Sequence, residues 1–172
     1  MQQNILLYVF TALVPLLVGF VWYNKALFGR AWMRANRFTE SDLKGGNIAL
    51  RLILTYVLSL MLALALTALV IHQMHLFSTL ANQPGMKNPK DPNSPAALYL
   101  KDFMTRFGSE FRTFRHGAFH GTIAGLFVAM PIIGIIALSE RRSFKYVAIH
   151  TGYWMMCLAL MGGLICQFMK LG

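Results

Sequence analysis

The sequence predicts an all-α integral membrane protein, a four-transmembrane-helix bundle with an amphipathic interfacial helix in the long loop between helices 2 and 3. Three observations predict it. Of 172 residues, 56% are hydrophobic and only 13% charged, with a positive mean hydropathy, which is too little charge to clothe a soluble domain of this size. The apolar residues fall into four blocks, at about residues 5–23, 52–71, 117–138 and 146–168, each near the ~20 residues that cross a ~30 Å hydrocarbon core. Every Lys and Arg lies outside those blocks, as the positive-inside pattern and anionic headgroups require. The net charge of +10 therefore points to the lipid bilayer and its anionic headgroups. It does not point to nucleic acid, because no basic binding module accompanies it.

Residues 1–172 read as a single integral membrane domain, with spanning helices at about 5–23, 47–77, 117–139 and 146–169 and the amphipathic helix at about 95–114. The first block has no basic n-region in Met1–Asn4 and no small-residue cleavage site in Phe20–Tyr23, so it is expected to remain as a helix. Pro15 removes a backbone hydrogen bond inside it and predicts a kink, and Trp22-Tyr23 form an aromatic pair suited to the headgroup level. The segment Lys25–Arg34 mixes Leu27, Phe28, Trp32 and Met33 with basic residues and predicts a short interfacial helix. Thr39 and Asp42 have the spacing of a capping box and predict a helix start. Gly45-Gly46 then breaks the turn before the second crossing.

Asn47 to Phe77 reads as one helix about 46 Å long, more than the hydrocarbon needs. The connection from Ser78 to Arg115 has two parts. Asn82 to Pro95 holds four prolines with Gly, Asn, Lys and Asp, an irregular loop. Ser94-Pro95 reads as N-cap and first helical residue. From there Leu100, Phe103, Phe107, Phe111 and Phe114 recur at three and four among charged residues, the spacing of an amphipathic helix. The third crossing carries Pro131 and Gly134 and leaves through the short basic turn Ser139–Arg142. The fourth holds His150, Tyr153 and Trp154 early and Gly162-Gly163 late. Basic residues in the first and third loops, with none in the N-terminal tail, place both termini outside.

Candidate sites come from the few polar and small residues in or beside the crossings. Gly117, Gly121 and Gly125 recur at four and form a helix-packing stripe on the third crossing, because small residues let a second backbone approach closely in lipid. His72 and His75 leave the second crossing where His116 and His120 enter the third. Imidazoles at spacings of three and four share a helix face, so the two pairs could bind a transition metal or offer axial ligands to haem. The ordinary reading is wetted helix ends with no acidic partner beside them to orient a ligand. His150 lies inside the opposite leaflet, with Thr55, Tyr56 and Asn24 at comparable depth as buried polar candidates, and a bond to Thr55 or a carbonyl would satisfy it. Cys157 and Cys166 are too far apart along one helix to bridge, and read as packing residues.

All six carboxylates lie outside the spanning blocks, which argues against a proton-coupled carrier or an intramembrane acid protease. Nor is there a phosphate loop, a serine nucleophile elbow or a paired-cysteine zinc motif. No catalytic residue is assigned. The reading preferred on these grounds is a non-enzymatic membrane subunit or scaffold, self-associating or docking on a larger membrane complex through the glycine face and the Phe-lined helix. The alternative is a metal- or haem-binding redox or transport component built on His72, His75, His116 and His120. A lipid-modifying enzyme around His150 lacks a nucleophile or acid.

With Trp22-Tyr-Asn-Lys-Ala-Leu-Phe-Gly-Arg-Ala-Trp-Met33, Thr39-Glu-Ser-Asp-Leu-Lys44, Gly152-Tyr-Trp154 and Leu158-Ala-Leu-Met-Gly162, nearly the whole chain resembles the bacterial membrane family known as domain of unknown function 1761. The longer form with His116-Gly-Ala-Phe-His-Gly121 is similar to Bacteroidota members. The resemblance implies four spanning helices in a bacterial inner membrane. It implies no activity and no catalytic residues.

Overall fold

The computed structural model describes residues 2–87 and 90–171, and all regular structure among them is helical. Four stretches among the described residues are long and apolar enough to cross a membrane: Asn4–Trp22, Ile48–Val70, Phe114–Ser139 and Phe144–Phe168. The shortest has 19 residues and reaches about 28 Å, close to the thickness of the hydrocarbon core. Phe20, Phe127 and Leu138 are 79%, 70% and 78% exposed, which in this setting means that they face lipid and not water.

The first crossing is two helices, α1 (Gln2–Thr11) and α2 (Val14–Trp22). Pro15 has no N–H to offer the carbonyl four residues back, so the helix breaks at Ala12-Leu13 as expected of an interior proline. The Tyr153 hydroxyl donates to the Pro15 carbonyl at 2.8 Å and ties the segment after the break to the fourth crossing. The chain then turns through Asn24, whose carbonyl accepts from Leu27 and Gly29. The short helix expected over 25–34 accordingly begins later, as α3 (Gly29–Asn36). Thr39 and Asp42 do bond reciprocally. The Thr39 hydroxyl donates to Asp42 at 2.6 Å and the Thr39 N–H at 2.7 Å, and these bonds hold the Asp42 carboxyl below its usual range. No helix follows, however, because Gly45 and Gly46 take left-handed φ values of 102° and 79°, open to glycine at little cost.

The second crossing is shorter than the single helix expected from 47 to 77. It ends as α4 (Ile48–Val70), and after an extended Ile71 (ψ 93°) the chain restarts as α5 (Gln73–Leu80). Neither Gly nor Pro marks the break. Ile71 is completely buried, and the extended backbone is what turns its side chain into the core, where burying an isoleucine is worth about 1.5–3 kcal/mol. The amphipathic helix α6 (Pro95–Phe107) starts at Ser94, whose Oγ accepts from the Ala97 N–H. It ends at Phe107 and not near 114, since Gly108 follows and the buried Gln73 side chain donates to the carbonyls of Phe107 and Glu110 at 3.1 and 3.0 Å. Phe103 and Phe107 stay on its stripe with ring centroids 5.2 Å apart, while Phe111 and Phe114 leave it. Asn88 and Pro89 of the preceding loop lie outside the described residues.

The third crossing is α7 (Phe114–Ala124), a π-turn (Gly125–Ala129) and α8 (Met130–Ser139). The fourth is one unbroken helix, α9 (Phe144–Phe168). This last helix is the axis of the bundle. It buries Leu158, Met161, Ile165 and Cys166 against Ala63, Leu66 and Val70 of α4 and Ala124 of α7. The glycine stripe closes on it: a Cβ at Gly117 would lie 2.1 Å from the Gly162 carbonyl oxygen, one at Gly121 2.0 Å from that of Leu158, and one at Gly125 2.7 Å from the Met155 Cα. Backbones this close leave room for hydrogen only.

Asn4 exchanges two bonds with Lys170, at 2.7 and 2.9 Å, so the start of the first crossing and the end of the fourth share one face of the bundle. Val70 and Phe114 reach that same face by chain order. His72, His116 and His120 therefore gather there, and His150 belongs to the opposite end.

Candidate metal centre

Two helices and a loop build the histidine cluster. His116 and His120 sit one turn apart on α7, whose first turn is fixed by the Thr113 side chain accepting from the His116 N–H at 3.2 Å. His72 comes from the other side, at the start of α5, where the extended Ile71 redirects the chain. One ligand atom from each of His72, His116 and His120 lies within 4.8 Å of the others. Ring centroids are 5.0 Å apart for His72–His116 and for His72–His120, and 4.5 Å for His116–His120. His72 is exposed and the other two are half-buried, so the cluster opens to the membrane surface on one side.

The Nε2 atoms of His72 and His116 approach to 2.8 Å. As neutral rings one can donate and the other accept, according to tautomer. A tetrahedral ion ~2.0–2.1 Å from each nitrogen would hold them about 3.3 Å apart, so the pair needs to part by roughly 0.5 Å. Three imidazoles suit zinc, copper, iron or nickel. They bring no charge, so a bound divalent ion would keep its full Lewis acidity and at least one position for water or another ligand. Among the described residues no carboxylate or thiol joins the three within ligand reach. Their Nδ1 atoms have no protein partner there either, leaving the tautomers to solvent or a ligand.

The loop between α6 and α7 forms the back wall. Phe111 adopts φ 60°, uncommon for a bulky residue, and that conformation lays its ring 5.0 Å from His116 and 6.1 Å from His72. The Cys166 thiol donates to the Phe111 carbonyl at 3.2 Å. Arg112 donates through Nε to the Cys166 carbonyl at 3.0 Å and through Nη2 to that of Met169, closing the C-terminal end of α9. Burial lowers the Arg112 pKa from its ordinary value, without removing the charge that makes these bonds strong.

His75, the fourth histidine of the expected set, is exposed and is not part of this group. On a continuous helix it would lie about 60° around the axis from His72. The break at Ile71 was the missing information, because it sets the direction in which α5 leaves and hence which of the two imidazoles meets α7. Phe111, Arg112 and Gln73 have no metal-site signature in sequence and were missed for that reason.

At the opposite end His150 finds partners other than Thr55. Its Nδ1 lies 3.1 Å from the Tyr23 hydroxyl and its Nε2 3.4 Å from the Asn36 amide, with the Tyr146 ring 4.4 Å away. Burial pushes the Tyr23 phenol well above its ordinary range, and which of the phenol and Nδ1 donates follows the imidazole tautomer. Thr55 bonds to the Arg51 carbonyl on its own helix, Tyr56 donates to the Val9 carbonyl, and Asn24 is exposed and accepts from the Ala26 N–H. These four do not form one site. The His150 group ties the first crossing and α3 to α9, and Tyr23→Phe is expected to lower stability by about 1 kcal/mol, the usual net worth of one such bond. Unfolding in mixed micelles measures it, and zinc binding at the other end of the bundle should be unchanged.

No curated protein and no solved structure matches the chain. A family model does, over residues 6–166, and its description is a protein of unknown function, DUF1761. That span takes in all but the outer two residues of the first and fourth crossings, the whole of the second and third, and the three converging histidines. The chain belongs to the DUF1761 family.

Proposed function

We propose that this protein is a metal-binding integral membrane component, in which His72, His116 and His120 hold one divalent first-row transition ion at the membrane surface with a coordination position left open. The convergence of three imidazole nitrogens, two from α7 and one from the start of α5, carries this reading. An ion is favoured over haem, since two axial imidazoles on opposite sides of an iron atom have ring centroids about 6 Å apart, and the three rings here stand only 4.5–5.0 Å from one another with no space for a macrocycle between any two. The scaffold reading drew on the glycine stripe as a surface for a foreign helix. That stripe is filled by α9 of the same chain, which removes its main support.

The histidine face is the outer one in this proposal. Nine Lys and Arg belong to the opposite end and seven to the histidine end, and the former sit in the short loops where the positive-inside bias acts. Arg30 and Arg34 line a shallow surface hollow there beside the Lys25–Glu40 ion pair and would meet anionic headgroups. The resemblance to Bacteroidota sequences makes a bacterial inner membrane the proposed host.

Titrating the purified, chelator-stripped protein with zinc against a competing indicator tests the function. One ion per chain is expected. His72→Ala, His116→Ala and His120→Ala should each weaken binding by roughly 100-fold, at or above the loss seen when only a supporting residue is removed, while His75→Ala leaves it unchanged. Zinc binding indifferent to all three substitutions would overturn the assignment.

A further inference from the structure

A groove runs down the bundle directly below the histidines. It lies between the second and third crossings with α9 as its floor, and is lined among others by Leu62, Leu69, Ala124, Val128, Ile132 and Trp154. Its volume is about 340 Å³. No charged side chain lines it, and every lining residue belongs to a spanning segment, so hydrocarbon and not water surrounds its mouth.

The groove and the histidines share their upper boundary. Leu69 is three residues before His72, and Ala124 is one turn after His120 on the same face of α7. From Ala124 to Ile133 the groove follows about 13 Å of helix and ends about 20 Å from His120, past the middle of a ~30 Å hydrocarbon core, a depth that takes a fully extended acyl chain. The π-turn Gly125–Ala129, with the Met130 N–H reaching back to the Gly125 carbonyl, falls within this stretch. Such turns recur at functional sites because they change the direction of side chains below them. Val128 and Ile132 on one wall and Leu69 on the other remain more than half exposed at 54%, 54% and 51%, so the groove is open along its length to a chain lying parallel to the helices.

We propose that this groove seats one acyl chain of a membrane phospholipid or fatty acid, placing the polar end of that lipid at the tri-histidine centre. The ligand class of the centre is thereby a lipid head or carboxyl, oxygen-bearing groups that occupy an open position on a divalent ion. The head-to-ion half of this rests on the metal reading; the acyl seat does not. A second copy of the chain is the competing occupant, and the experiment separates the two.

The test uses the full chain in phosphatidylcholine vesicles carrying a small fraction of phosphatidylcholine with a photoactivatable diazirine midway along one acyl chain. Labelled residues are mapped by mass spectrometry. Labelling of Leu69, Val128 and Ile132 should exceed by several-fold that of Leu17 and Phe20, which are more exposed at 66% and 79% but lie on the first crossing. Ala65→Phe, filling the groove from an exposed wall position, should abolish the excess. Labelling that follows exposure alone, or groove residues shielded from the lipid probe in a chain that native mass spectrometry finds dimeric, would overturn the seat. Zinc stoichiometry on the same samples keeps the two proposals apart. Zinc bound with uniform labelling sinks the seat and leaves the metal site standing, whereas excess labelling without zinc binding keeps the seat and removes the head-to-ion half.

Discussion

Gly121→Ala should destabilise the protein by about 3 kcal/mol, near the top of the range for overpacking a tight contact. The added methyl would lie 2.0 Å from the Leu158 carbonyl oxygen and 2.4 Å from its carbon. Both are backbone atoms of α9 and cannot rotate away. The third crossing must then back off from the fourth, and the small gain in helix propensity, under about 1 kcal/mol, cannot offset that. Gly134→Ala is the matched control, since its Cβ would meet nothing within 4 Å; it should be neutral or slightly stabilising. Unfolding in mixed micelles reads both. Because α7 carries His116 and His120, Gly121→Ala should also weaken zinc binding, and a variant with unchanged stability would mean that the helices are not in backbone contact there.

Arg112→Met is expected to cost about 2–3 kcal/mol, the loss of charge-assisted bonds to two carbonyls discounted for partial exposure. The Cys166 and Met169 carbonyls at the end of α9 lose their donor, and the loop that presents Phe111 to the histidines loses its anchor. Arg112→Lys should recover little. An ammonium cannot reproduce the fork that reaches two acceptors at once. Alongside micellar unfolding, zinc affinity should fall several-fold in Arg112→Met although the residue is no ligand, and unaltered affinity would show that the loop is held by other contacts.

Much of this fold was legible because the bilayer imposes lengths. Each crossing is a run of apolar residues with charged flanks, and no alternative structure satisfies such a run in hydrocarbon. Pro15 declared its kink for a local reason, the missing N–H. Ile71 did not, because its extended conformation is set by burial among residues distant in sequence. The same holds for the end of α6. The Phe spacing ran on to Phe114, but Gln73, more than thirty residues away, takes the Phe107 carbonyl and stops the helix. Period alone cannot see a side chain that arrives from another element.

The candidate site divides along the same line. His116 and His120 were legible as a pair because four residues make one helical turn. Choosing His72 over His75 required the direction of α5, and naming Tyr23 as the neighbour of His150 required the fold of the first loop. The glycine stripe was recognised as a packing surface, but spacing says nothing about who fills it, and α9 does so through Gly162, Leu158 and Met155.

That α9 is the axis has a consequence for how the protein is made. Of the four crossings, the one against which the others pack is the last to leave the ribosome. Until it enters the bilayer, Gly117, Gly121 and Gly125 lack the backbone they pack against, and the first three crossings have only their contacts with one another, such as Tyr56 on the Val9 carbonyl and Tyr8 on Thr67. Completion of the bundle, and with it the fixing of His116 and His120 against His72, therefore waits for insertion of the fourth crossing.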